Sequence, residues 1–117
     1  MSRPLLRIED GENEVALRLG GEVDISNAGE LEGALAPLVE FGGDIVIDCT
    51  ALTFMDSTGF RVILDAAEQL EDASRLILLS PGPLIRKTIE LLGLKNLPTL
   101  EIRESAADRQ AVGPPSE

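Results

Sequence analysis

The chain is 117 residues long, the size of one domain able to bury a single core. Its 10 Lys and Arg against 21 Asp and Glu give a formal net charge of −11, which repels phosphate backbones and anionic lipid headgroups and argues against direct nucleic-acid binding. There is no histidine, which excludes Ser-His-Asp and Cys-His nucleophile arrangements and the common nitrogen-ligated metal sites.

Leu5 to Ile8 reads as a short strand and Asp10-Gly11-Glu12-Asn13 as a turn. Val15, Leu17 and Leu19 alternate with Ala16, Arg18 and Gly20 as a second strand, paired to the first in a hairpin. Ser26 or Asn27 can cap a helix carrying Ala28, Leu31, Ala34, Leu35 and Leu38, which Gly42-Gly43 closes. Pro37, late in that helix, removes a hydrogen bond and predicts a bend or an end nearby. Asp44 to Asp48 is a β-branched run of buried-strand length, followed by a loop to Ser57. From Ser57 to Asp72, Phe60, Ile63, Leu64, Ala67 and Leu70 fall three and four apart, one apolar stripe of a helix. Arg75 to Ser80 is another buried strand. A helix follows with Leu84, Ile85, Thr88, Ile89 and Leu92 on its apolar side and Gly93 at its end, and Thr99 to Arg103 is the last strand.

Strands separated by single helices run parallel through right-handed crossovers, while the opening hairpin adds an antiparallel strand. The predicted fold is therefore α/β: a mixed, mainly parallel β-sheet with an N-terminal hairpin and about three helices packed on it. Hydrophobic content of 44% with only Phe41, Phe54 and Phe60 as aromatics implies an aliphatic core suited to helix-on-sheet packing. One domain is expected over 1–103. The segment 104–117 loses periodicity, ends in Gly-Pro-Pro-Ser-Glu and reads as a disordered tail. Cys49, the only cysteine, can form no internal disulfide and reads as a small buried hydrophobe, in keeping with a reducing cytoplasm. No apolar run approaches the roughly 18 residues that span a bilayer, so no membrane insertion is expected and the location expected is cytoplasmic.

Asp56-Ser57-Thr58-Gly59 stands where the third strand gives way to the second helix. A hydroxyl at a helix N-terminus has two readings. It can cap the exposed backbone N–H groups, or it can accept a phosphate whose roughly −1.5 to −2 charges those groups and the macrodipole tolerate. The longer pattern Asp48-x-Thr50-x-Leu52-x-Phe54-Met55-Asp56-Ser57-Thr58-Gly59 resembles the signature of the STAS family, the domain shared by bacterial anti-sigma factor antagonists and sulfate transporters. Gly21-Glu22-Val23-Asp24 with Ala28 and Leu31 resembles that family's turn into its first helix, and Leu91-Leu92-Gly93-Leu94 its exit from the last. Thr50 stands where the family usually has Ser, and Phe60 where it has an aliphatic residue.

The resemblance implies an anti-sigma factor antagonist. In that family the unphosphorylated domain binds a serine kinase that otherwise sequesters a sigma factor, and phosphorylation of the motif serine, here Ser57, ends binding. A phosphatase acting on phospho-Ser57 would restore it. The partner-binding residues implied are Asp24, Asp56, Ser57, Thr58, Gly59 and Phe60, with Asp56 orienting the serine and Asp24 contacting the kinase or its nucleotide site. A stressosome-type scaffold subunit and a soluble STAS subunit of a lipid or anion transporter remain as alternatives. No catalytic residue, cofactor or metal is expected. Asp24, Asp48 and Asp56 could converge, and Asp-Ser/Thr-Gly is similar to the aspartic-protease loop. That chemistry, however, needs a second facing carboxylate in a largely β scaffold. Gly20-Gly21 and Gly42-Gly43 lack the Lys-Ser/Thr of a nucleotide-binding phosphate loop.

Overall fold

The computed structural model of the chain describes residues 16–71, 73–93 and 97–104, together with the backbone of 6–10. The elements are β1 (Leu6–Asp10), β2 (Leu17–Val23), α1 (Ala28–Phe41), β3 (Ile45–Met55), α2 (Ser57–Gln69), β4 (Leu76–Leu79), α3 (Gly82–Leu91) and β5 (Leu100–Arg103). They form a five-stranded sheet in the order β1-β2-β3-β4-β5. β1 pairs antiparallel with β2, and each later pair is parallel. The expected mixed α/β fold is the one observed. Of the predicted tail, 104–117, Glu104 is described and the rest lies outside the described residues.

Right-handed crossovers that always step the same way along a sheet leave every helix on one face. The core obeys this: Leu19, Ile45, Ile47, Leu76 and Leu78 from the strands pack with Leu31 and Leu35 of α1, Ile63 of α2 and Ile85 and Ile89 of α3. The intervening strand residues form a separate small cluster of Val46, Ile77 and Leu79 on the opposite face. On α3 only part of the predicted stripe is used. Ile85 and Ile89 are buried, whereas Leu84 and Leu92 are exposed.

Two boundaries move in a way that matters for function. β3 does not end at Asp48 in a loop but continues to Met55, and β2 continues through Gly21, Glu22 and Val23, where a turn was expected. The extensions pair with each other, Gly20 with Ala51 and Val23 with Met55, across two register shifts. Beyond Asp48, β3 has lost its β4 neighbour, since Asp48 opposite Leu79 is the last pair. Past Asp48, β3 therefore keeps only β2 beside it, and because β2 is flanked by β1 as far as Gly21, the two strands run on as a ribbon of their own at Glu22–Val23 and Phe54–Met55. Thr53 Oγ1 ties it further by donating to the Gly21 carbonyl at 3.0 Å.

α1 runs one turn past Pro37 and ends where Gly42 takes φ 86° and donates its N–H to Leu38 O at 3.2 Å. Pro37 leaves the Gly33 carbonyl without its helical partner, but both residues lie on the exposed face, where water can take that bond.

Candidate functional site

At the tip of the ribbon the two strand ends are locked together. Val23 pairs with Met55, and the Asp56 N–H donates to Val23 O at 3.1 Å, so the turns that follow β2 and β3 emerge side by side. The first turn holds Asp24 and the second Asp56 and Ser57.

Asp56, extended at φ −91° and ψ −175°, is the N-cap of α2. Its Oδ1 accepts from Thr58 N at 2.9 Å and Gly59 N at 3.2 Å. The capping role left open for Ser57 therefore belongs to its neighbour. Asp56 makes its hydrogen bonds to the helix amides, and none to the Ser57 hydroxyl that it was expected to orient is present among the described residues. Ser57 is the first helical residue, is exposed, and its hydroxyl has no hydrogen bond among the described residues.

Gly59 lets this end of α2 sit directly on the strands. A Cβ there would stand 2.6 Å from Met55 Cγ and 2.8 Å from Val23 Cγ1, closer than side chains tolerate. Phe60 follows it into the core at 2% exposure. Phe60, which the resemblance put among the partner-binding residues, anchors the first turn of α2 and lines a groove of about 520 Å³ with Ser57, Thr58, Arg61, Leu64 and Leu92. Phe60, Leu64 and Leu92 are the members that sequence reasoning placed on apolar helix stripes, and of these Leu92 is the one left exposed. Helical spacing alone could not tell a stripe that ends on the sheet from one that overhangs it.

Asp24 organises the neighbouring turn. Its Oδ1 accepts from Ser26 N at 2.9 Å and from Ser26 Oγ at 2.5 Å, and its carbonyl accepts from Asn27 N at 3.0 Å and Ala28 N at 2.8 Å. Asn27 occupies the N-cap position of α1 without capping it. Its buried side chain reaches back to the strand, with Oδ1 accepting from Asp24 N at 2.8 Å and Nδ2 donating to Glu22 O at 2.9 Å. These bonds leave Ile25 at the crest of the turn, 80% exposed. Neither Asn27 as a brace nor Ile25 as an exposed apolar tip was singled out from the sequence.

Asp48 does not join Asp24 and Asp56. It lies at the level where β4 ends, accepts from Thr50 N at 2.9 Å and Thr50 Oγ1 at 2.6 Å, and faces Arg18 at 3.7 Å. Among the described residues no group of carboxylates or thiols is placed to hold a metal. Cys49 is buried, and its thiol pKa is pushed up to about 12, mainly by burial and secondarily by the Asp48 charge. A neutral thiol at neutral pH is a packing group, not a nucleophile.

The fold that carries this exposed serine has counterparts among known proteins. Residues 5–108 match the STAS domain, and the chain belongs to that family. It is 33% identical over 98 residues to the anti-sigma F factor antagonist of Lysinibacillus sphaericus, covering 81% of this chain and 84% of the relative. The fold matches an anti-sigma factor antagonist from Mycobacterium paratuberculosis with TM-score 0.73 and 26% identity over 94% of this chain and 93% of that one. It also matches the Bacillus cell fate determinant SpoIIAA in its phosphorylated form, with TM-score 0.65 and 25% identity over 94% of this chain and 100% of that one. Among the described residues no helix is long and apolar enough to cross a membrane.

Proposed function

We propose that this protein is an anti-sigma factor antagonist that acts by binding rather than by catalysis, in the cytoplasm. Unphosphorylated, it engages an anti-sigma factor that is a serine kinase, and the kinase's sigma factor is released. The kinase transfers the γ-phosphoryl group of ATP to Ser57 Oγ, the hydroxyl proton leaving and ADP departing, and binding ends. A phosphatase hydrolyses phospho-Ser57 and resets the cycle.

The observation that carries this reading is the division of labour between Asp56 and Ser57. Because Asp56 caps the helix, Ser57 Oγ is exposed and without a competing hydrogen bond among the described residues. Its oxygen is open to an incoming phosphoryl group, and the helix end survives the modification. Asp24 with Ile25, and Ser57 with Thr58 and the groove beside them, form one contiguous face for the kinase. Gly59 and Phe60 support that face from beneath.

A phosphate at the centre of such a face adds desolvation and like-charge costs, and a penalty of about 3–4 kcal/mol is a few hundredfold in affinity. Incubation with the cognate kinase and ATP, followed by peptide mapping, tests the assignment. Phosphate on Ser57 is the expected result; phosphate on Thr58 with Ser57 unmodified, or none on the chain, refutes it.

A further inference from the structure

Among the arginines whose side chains are described, Arg61 stands apart. Arg18 faces Asp48, Arg86 pairs with Glu104 and Arg103 pairs with Glu101, and Arg75 also has partners. Arg61 is exposed and has no ion pair or hydrogen bond among the described residues, in a chain whose net charge is −11. It lies four residues after Ser57 on α2, and of the residues lining the groove beside Ser57 it is the only charged one.

Residues four apart on a helix have Cβ atoms about 5–6 Å apart, and helical side chains lean toward the N-terminus. The Arg61 stem therefore runs back toward position 57. An acidic group with a basic group four residues later is also the favoured order for a helical ion pair. A serine hydroxyl gives Arg61 nothing to neutralise, but a phosphoserine gives it a dianion with three acceptor oxygens matched to a guanidinium fork.

We infer that Arg61 is the built-in counter-ion of phospho-Ser57. On phosphorylation the guanidinium closes on the phosphate, and the pair lies across the mouth of the groove over Phe60, Leu64 and Leu92. The modification thus blocks the docking face in two ways: it adds charge, and it draws a long side chain over apolar surface that a partner would otherwise cover. This rests on the phosphoswitch reading of Ser57. The acidic groups near the phosphate among the described residues are Asp56, engaged by the Thr58 and Gly59 amides, and Asp24 on the adjacent turn; from the end of α3 the C-cap residue Leu92, which is uncharged, lines the groove.

The test is a phosphorus NMR titration of full-length protein carrying phosphoserine at position 57, installed during translation so that no kinase is needed. It compares the native chain with Arg61→Gln and Arg61→Lys. A facing cation holds the phosphate in its dianionic form, so the second phosphate pKa of the native chain should lie about 0.3–1 unit below that of Arg61→Gln, with Arg61→Lys between them. Asp24, Asp56 and the helix end act equally in all three. Identical titrations would overturn the inference and leave Arg61 as a surface residue. The phosphoswitch could fail separately, by an absence of kinase-dependent phosphate on Ser57, with this titration unchanged.

Discussion

Asp56 and Ser57 are adjacent polar residues whose replacement should have opposite consequences. Asp56 satisfies two backbone N–H groups at the start of α2, so Asp56→Ala should lose about 0.5–2 kcal/mol of stability. Ser57→Ala removes a hydroxyl with no partner among the described residues and should stay within about 0.5 kcal/mol of the native chain. Urea denaturation of both variants checks this pair of outcomes. Buried Cys49 adds a pH dependence of definite sign. Its thiol pKa rises from 9.0 to about 12 on folding, so the unfolded chain ionises first. The thiol's contribution is whole below pH 9.0 and is lost progressively as the pH climbs toward 12. Denaturation midpoints should fall across that window, and Cys49→Ala should flatten part of the fall.

At the scale of elements, the β2–β3 ribbon and its two turns are what position the site. Asn27 staples the first turn to the end of β2 with two hydrogen bonds from a buried side chain. Asn27→Ala leaves the Asp24 amide and the Glu22 carbonyl without those partners and should cost about 1–3 kcal/mol, read from denaturation curves. Asn27→Asp keeps the acceptor and loses the donor, and should fall between the two.

The sequence made most elements legible because their apolar periods are clean: alternation in β2, and spacings of three and four in α2. It did not show the ribbon. β3 past Asp48 loses its β4 neighbour, its exposure runs two residues at a time, and the register shifts between Arg18 and Gly20 and between Gly21 and Glu22 break alternation. Those shifts depend on how two strands meet, which no single stretch of chain encodes. Ser57 itself was legible from the motif. Its freedom from the capping role was not, because Asp, Ser and Thr are all good caps and only geometry shows which is used.

For the whole molecule, the candidate site gathers at one end of the sheet, formed from β2, β3 and the starts of α1 and α2, with Leu92, the C-cap of α3, on one side of the groove. The last described residue, Glu104, is held by Ser80 Oγ and by Arg86. Deleting 106–117 leaves those contacts in place and should change stability by no more than about 0.5 kcal/mol, measured by thermal melting. The charge of −11 also sets the kind of partner the molecule favours, a basic or apolar surface, and association with it should slow as salt is added.

The central claim is that phosphate on Ser57 changes what docks without changing what folds. Calorimetric titration of the host's anti-sigma factor kinase with the full-length protein, unphosphorylated and phosphorylated at Ser57, measures it directly, provided the two forms melt alike. The account predicts at least a tenfold loss of affinity on phosphorylation, about 1.4 kcal/mol or more, with Ser57→Ala binding like the unphosphorylated chain. Equal affinity of the phosphorylated and unphosphorylated forms would contradict it.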